Sequence, residues 1–263
     1  MKRLFTPLIF FLLLCPGRAA GEDLLVITES NPPFTLNETC GPAGIATDLF
    51  LLMAKRSGLD VKRPDIRFWP WARGYQEIRE KPNVILFATA RTGEREAQFR
   101  WIGPIATLRS GLIALKSRRL AIKDPVSAAW RYRYGTIRSS ASEQDLINRG
   151  VPPAWLERVH DRALNIRKLV NGHIDVLVGN EANTLYTIRR LGLDPNDFEM
   201  VCPLMTTDLY YAASPDLDPS MVQKLQTALD SLKADGTAAR ITAQYRQERA
   251  GRPFREEMLQ AQQ

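Results

Sequence analysis

The chain is poor in the side chains that hold metals and carry redox chemistry, with three cysteines and two histidines in 263 residues. His160 and His173 stand at helical spacing from no further ligand, so the sequence has no metal-site signature and no metal is expected. It also lacks a Gly-x-Ser-x-Gly elbow, a phosphate loop ending in Gly-Lys-Ser or Gly-Lys-Thr, and a strand followed by Gly-x-Gly-x-x-Gly. Hydrolytic, nucleotide-dependent and dinucleotide-dependent chemistry lose their usual support. No cofactor is expected, and a binding role gains by elimination. Past residue 20 no run is apolar enough to span a membrane. A content of 44% hydrophobic and 25% charged residues excludes a disordered or collagen-like chain and allows one large core or two modest ones.

The first twenty residues stand apart. Met1-Lys2-Arg3 is cationic, Leu4 to Leu14 is almost wholly apolar, and Cys15-Pro16-Gly17-Arg18-Ala19-Ala20-Gly21 is small and turn-prone. That is the layout of a secretory signal peptide, with cleavage expected near residues 19–21 and an exported product. Cys15 follows Leu14 rather than the small residue expected before a lipidated cysteine, so the product should be soluble. Cleavage removes Lys2, Arg3 and Arg18, leaving 33 basic against 29 acidic residues and a net charge of +4. The excess reads as diffuse, with no dense basic stripe, and nucleic acid is not expected as a partner. Cys40 and Cys202 remain, and in an oxidising compartment they form either a disulfide or two separate buried thiols.

Short apolar runs alternate with helical segments. Leu24 to Thr28 reads as a buried strand, Asn31-Pro32-Pro33-Phe34 as a proline-fixed extended turn, and Asp48 to Gly58 as a helix with an Asp cap and a Gly stop. Gly41-Pro42-Ala43-Gly44 reads as a turn. Strands follow at Ile66 to Phe68 and Val84 to Phe87, around a helix from Ala72 to Arg79. A second series has strands at 111–115, 134–137, near Val159 and at 174–178, with helices from Ser142, over 163–170 and over 181–191. Asp208 to Ala213 reads as a strand, followed by helices over 220–234 and 237–249 and a polar tail over 251–263. This order predicts mainly parallel sheets covered by helices on both faces, with ligands at the carboxyl ends of the strands. "IREKPNVILFATA" and "LVNGHIDVLVGNE" share one helix-turn-strand plan, which suggests two lobes built alike.

The order of pieces resembles the family-3 extracellular solute-binding proteins, the type II periplasmic binding proteins of polar amino-acid ABC transporters. The matching elements are Asn31-Pro32-Pro33-Phe34, Gly44-Ile45-Ala46-Thr47-Asp48-Leu49, Thr92-Gly93-Glu94-Arg95, Gly103-Pro104, Ile174-Asp175-Val176-Leu177-Val178 and "LKADGTAARITAQY", covering about residues 23–247. The resemblance implies a two-lobed α/β fold with a two-strand hinge, lobe 1 holding residues 21–112 and 206–250 and lobe 2 residues 113–205. It also implies a monomer that captures a small solute by hinged closure and hands it to an ABC permease in the inner membrane.

By the same resemblance Arg95 grips the ligand's carboxylate, a role that suits a two-pronged guanidinium. Ala90 lies at the strand end before it, Arg91 offers a second donor, and Arg100 is expected to be solvated. Trp71 falls where the family often has an aromatic packed on the ligand, with Trp69 as competitor. Arg138-Ser139-Ser140-Ala141 falls where the family has a turn leading into a helix, whose backbone N–H groups with the Ser140 hydroxyl suit an anionic oxygen. Asn180 replaces the aspartate usual in amino-acid binders, Asn31 replaces an aromatic, and Glu181 could restore the missing carboxylate. A carboxylate-bearing, amino-acid-like solute is the expectation. Two other readings stand beside it. One is a periplasmic enzyme of the cyclohexadienyl dehydratase type, for which only Glu29, Glu94 and Glu181 offer acid-base chemistry and no catalytic residue is assigned. The other is a stand-alone ligand sensor.

Overall fold

The computed structural model describes residues 24–39 and 41–247. The leader-like segment, the tail over 251–263 and Cys40 lie outside the described residues, and with Cys40 the proposed pairing to Cys202. Cys202 itself is buried in a strand.

The chain opens with β1 (Leu25–Thr28), a small hairpin of β2 (Leu36–Glu38) and β3 (Gly41–Ala43), and helix α1 (Ile45–Arg56). Then come β4 (Arg67–Phe68), α2 (Trp71–Glu80), β5 (Val84–Ala90) and the long β6 (Arg100–Leu115). The middle of the chain forms α3 (Pro125–Ala128), β7 (Tyr134–Ile137), α4 (Ala141–Asn148), β8 (Leu156–Val159), α5 (Arg162–Val170), β9 (Val176–Asn180) and α6 (Glu181–Arg190). The long β10 (Phe198–Ala213) returns to the first half, followed by α7 (Pro219–Ala234) and α8 (Thr237–Gln247).

Eight strands join in the order β4-β1-β5-β10-β6-β9-β7-β8. At the centre, β6 and β10 run antiparallel from Phe198 opposite Leu115 to Ala213 opposite Arg100. Sixteen residues of strand reach roughly 50 Å. Parallel strands β1, β4 and β5 attach at one end of this ribbon, through Leu209 to Ala213, while β7, β8 and β9 attach at the other, through Ser110 to Ile113. The result is the expected two-lobed α/β architecture, its halves tied by two through-running strands. Only the ends of these strands, 111–115 and 208–213, are visible as apolar runs. Elsewhere exposed and buried positions mix along β6 and β10, because the ribbon between the halves has a wetter face.

Each half has a core on both faces of its sheet. In the first, α1, α7 and α8 cover a trio of Phe50, Phe87 and Tyr211, with ring centroids 4.6 Å and 5.1 Å from Phe87. Its opposite face holds Ile27, Trp71, Ile78, Leu86 and Phe99, and Ile137 from the second half packs into that cluster. The second half has Leu112, Tyr134 and Val176 on one face and Ile166, Leu177 and Ile188 on the other.

Two local expectations are corrected. Gly41-Pro42-Ala43 is strand β3, paired with β2, rather than part of a turn. Asp48 does not cap α1, which begins behind Gly44 instead. Gly44 has φ 112°, and a Cβ there would lie 2.5 Å from the Phe34 carbonyl oxygen, so only glycine fits the entry. The Asp48 carboxylate is used further in: Tyr245 donates to it at 2.6 Å and Arg63 at 2.8 Å, tying α1 to α8.

Candidate functional site

The carboxyl ends of β1, β4 and β5 in one half face those of β7, β8 and β9 in the other, and the polar side chains gather in this seam. Arg95 follows β5 and is only 4% exposed. Its Nη1 donates to the Ala90 carbonyl at 3.4 Å, and its Nη2 donates across the seam to the Ser139 carbonyl at 3.0 Å. The guanidinium lies 4.8 Å from the Tyr75 ring centroid and 5.3 Å from that of Trp71. Burial pulls its pKa below the ordinary arginine value, opposed by Tyr75, Glu94 and Glu29. Trp71, the first residue of α2, stacks on Tyr75, and its Nε1 donates at 2.8 Å to the same Ser139 carbonyl.

Ser139 presents that carbonyl from a left-handed backbone, φ 61°. The turn is fastened from below. Its N–H donates to Glu143 at 2.7 Å, and the buried Glu143 carboxylate also accepts from Thr136 at 2.7 Å and from two Arg158 nitrogens at 2.8 Å each. Ser140 caps α4, its hydroxyl accepting from the Glu143 N–H at 3.2 Å.

A second contact across the seam joins Asn31 to Asn183, whose amide nitrogen donates to the Asn31 side-chain oxygen at 2.6 Å. Asn183 is held in place by Asn180, which caps α6 by accepting from the N–H groups of Ala182 and Asn183. The buried Asn180 amide nitrogen has no hydrogen-bond partner among the described residues. Farther out, Asn148 donates to Glu94 at 2.5 Å, and Arg190 stands 3.7 Å from Glu38.

The seam encloses a cavity of about 510 Å³ beside these contacts. Glu29, Phe68 and Trp69 line it from the first half, and Ile137, His160, Arg162, Asn183, Tyr186 and Arg190 from the second. Burial pushes the Glu29 carboxyl above the usual carboxylate range, while Arg162 and Arg95 pull it back. Another recess of about 510 Å³ lies between α1, α7 and α8, but its walls are mostly aliphatic, with Leu49, Leu229 and Ala239 among them. That wall has no array of charges to orient a polar ligand.

Arg95, Ala90 and Trp71 thus form one cluster, and Asn31 and Asn180 a second, linked through Asn183. Arg91 points elsewhere: both ends of its fork bind Glu96, at 2.7 Å and 2.5 Å, and it lies over the Tyr210 ring at 5.0 Å. Glu181 sits beside Arg109 at 3.7 Å, on a partly exposed helix start. Arg100 is exposed and donates to the Pro215 carbonyl. Trp69 lines the cavity under Arg73, 4.0 Å from its ring centroid.

Sequence reading missed Ser139, Asn183 and Arg162. Arg162 had a findable signal: it opens α5 directly after β8, the same strand-end position that singled out Arg95. Ser139 lies in the turn singled out for its N–H groups, but what it contributes is a carbonyl set by a positive φ, which leaves no sequence signal.

Residues 24–248 match the profile of the bacterial extracellular solute-binding proteins, family 3. A sequence search of curated proteins gives no match. Among solved structures, the chain is similar to a histidine kinase sensor domain with similarity to periplasmic binding proteins (TM-score 0.72, 18% identity, 84% of this chain and 95% of that one). It is equally similar to a substrate-binding protein of an ABC uptake transporter from Streptococcus pneumoniae with bound histidine (TM-score 0.72, 17% identity, 84% and 91%). A third is the ancestral amino-acid-binding protein AncCDT-1, a precursor of cyclohexadienyl dehydratase (TM-score 0.68, 18% identity, 84% and 94%). At these identities the likeness concerns the fold.

Proposed function

Since the chain belongs to the bacterial extracellular solute-binding proteins of family 3, we propose that it is a periplasmic receptor that captures a small carboxylate-bearing, amino-acid-like solute and delivers it to an ABC permease. In this reading residues 1–20 are a leader cleaved near residues 19–21, and the product is a soluble monomer. Lobe 1 comprises residues 21–112 and 206–250, lobe 2 residues 113–205, and β6 and β10 form the hinge.

The observation that carries the reading is the buried Arg95. A guanidinium has five N–H donors, and the carbonyls of Ala90 and Ser139 engage two of them. A planar carboxylate matches the remaining fork, gripped in a water-poor setting where a charge-assisted pair is strong. Trp71 and Tyr75 wall the guanidinium. Because Arg95 and Trp71 both reach Ser139 of the opposite half, a ligand on Arg95 is stabilised by contacts that exist only when the lobes are together. The unpartnered Asn180 amide nitrogen offers a donor from lobe 2, not the countercharge an ammonium prefers. Glu29 and Asp161 both line the cavity; Asp161 is occupied capping α5, so Glu29 takes the role first considered for Glu181.

The test is a thermal-shift screen of amino acids, their derivatives and small carboxylic acids, followed by calorimetry on the hits. A carboxylate should raise the melting temperature of the wild type and leave Arg95→Ala unmoved. A shift that survives in Arg95→Ala overturns the assignment. One observation favours an enzyme as second reading: Glu29, an acid shifted upward by burial, faces the same cavity. Turnover of a hit, followed by mass spectrometry and lost in Glu29→Gln, would replace the receptor with a dehydratase-type enzyme.

A further inference from the structure

The positive excess of the chain is concentrated in one place. Residues 116–133 contain Lys116, Arg118, Arg119, Lys123, Arg131 and Arg133 against the single acid Asp124, a net charge of +5. The whole of residues 21–263 carries +4, so everything outside this segment sums to −1. All six cationic residues are exposed. The segment joins the end of β6 to the start of β7, at the amino ends of β7 and β9, whereas the cleft lies at their carboxyl ends.

It is a built surface rather than a loose loop. Arg118 and Arg133, from its two ends, converge on the same carboxylate, Asp175. Ile122, Val126 and Tyr132 anchor its underside in the core of the second half. Asp124 caps α3 by accepting from Val126 and Ser127. On the outer side stands Trp130, 76% exposed, with its ring edge-on to Trp155 at a centroid distance of 4.1 Å.

A large indole left in water on a segment rich in exposed cations is the pairing found where proteins meet bilayers, the ring lodging at headgroup level and the cations on phosphates. We infer that the face formed by residues 116–133 and Trp155 is a docking surface for an anionic phospholipid bilayer. The protruding indole decides between lipid and a folded acidic partner. A bilayer yields around a projecting ring, whereas a protein partner must supply a matching pocket. The surface lies away from the solute cleft, so docking leaves the cleft open, and the inference does not depend on which ligand the cleft takes.

The test is co-sedimentation of the chain from Gly21 onward with vesicles of phosphatidylglycerol and phosphatidylcholine, and of phosphatidylcholine alone, in low and high salt without added solute. Binding is expected to the anionic vesicles only, falling at least tenfold in high salt. Lys123→Glu with Arg131→Glu should lower vesicle affinity by at least about tenfold, and Trp130→Ala by about fivefold, with circular dichroism and melting temperature unchanged. Lys55→Glu with Lys224→Glu, the same charge change on exposed residues of the first half, should leave vesicle binding intact. Three results would each overturn the inference: equal loss in that control pair, equal binding to uncharged vesicles, or binding to heparin with none to vesicles. If Trp130→Ala proves unstable, the exposed double substitution decides alone. Because no solute is present, failure here leaves the receptor reading standing, and failure of the solute screen leaves this one standing.

Discussion

The Nη2 of Arg95 and the carbonyl of Ser139 meet at 3.0 Å across the seam between the two halves, and the Trp71 indole donates to the same oxygen. One carbonyl therefore gathers a guanidinium and an indole from the opposite half. It can do so because Glu143 and Arg158 hold the turn beneath it in a left-handed conformation. In the proposed reading, recognition and closure share these few atoms.

Replacing Arg95 separates the fork from the charge. Arg95→Lys keeps a cation but cannot donate in parallel to two oxygens, and its point charge reaches Ser139 poorly. Affinity for a carboxylate solute should fall on the order of a hundredfold in Arg95→Lys, and further in Arg95→Ala, by isothermal calorimetry. Equal affinity in Arg95→Lys and wild type would show that charge alone suffices.

Removing Arg158 tests the support under Ser139. Glu143 is almost wholly buried while Arg158 keeps part of its side chain in solvent, so water partly compensates the loss. Arg158→Ala should cost about 2 kcal/mol in urea denaturation, since a buried carboxylate loses two charge-assisted bonds. Solute affinity should drop as well, because the carbonyl that completes the site is no longer held. Glu143→Gln should recover part of the stability in the Arg158→Ala background.

Tyr245 and Gly44 tie the end of the fold to its beginning. The hydroxyl accepts from the Gly44 N–H at 2.9 Å and donates to Asp48 at 2.6 Å. Tyr245→Phe should cost about 1–2 kcal/mol by denaturation, as a buried N–H and a carboxylate lose a partner. Gly44→Ala should cost more, because the positive φ and the Phe34 carbonyl both exclude a Cβ.

Much of this fold is legible in the sequence, because buried parallel strands are continuous apolar runs: Val84 to Phe87 opens β5, and Ile174 to Val178 overlaps β9. The strands that join the halves are harder to see, since β6 and β10 present a mixed face between two cores. In the site, Arg95, Trp71, Asn31 and Asn180 are singled out by the family resemblance, which carries side-chain positions at strand ends and turns onto this chain one by one. Ser139 acts through a carbonyl, and the pairing of Asn31 with Asn183 spans the chain, so neither leaves a local pattern. Arg91 is drawn away by Glu96, a neighbour visible in the sequence whose preference only geometry reveals. The net charge of +4 reads as diffuse only until six exposed cations are counted within residues 116–133.

Glu29 gives the molecule a pH dependence whose sign can be worked out. Burial is the largest influence on its carboxyl and raises the pKa above 4.5, with Arg162 and Arg95 opposing. An acid with a raised folded-state pKa holds its proton more tightly when folded. Its stabilising contribution is therefore full below the ordinary value of 4.5 and is lost as pH rises through the raised one. Glutamine cannot ionise, so Glu29→Gln should melt above the wild type at pH 7, and the difference should shrink as pH falls toward 4. Differential scanning calorimetry across that range measures it. A difference that grows on acidification would mean that Arg162 and Arg95 outweigh burial, and that the cavity holds Glu29 as a carboxylate.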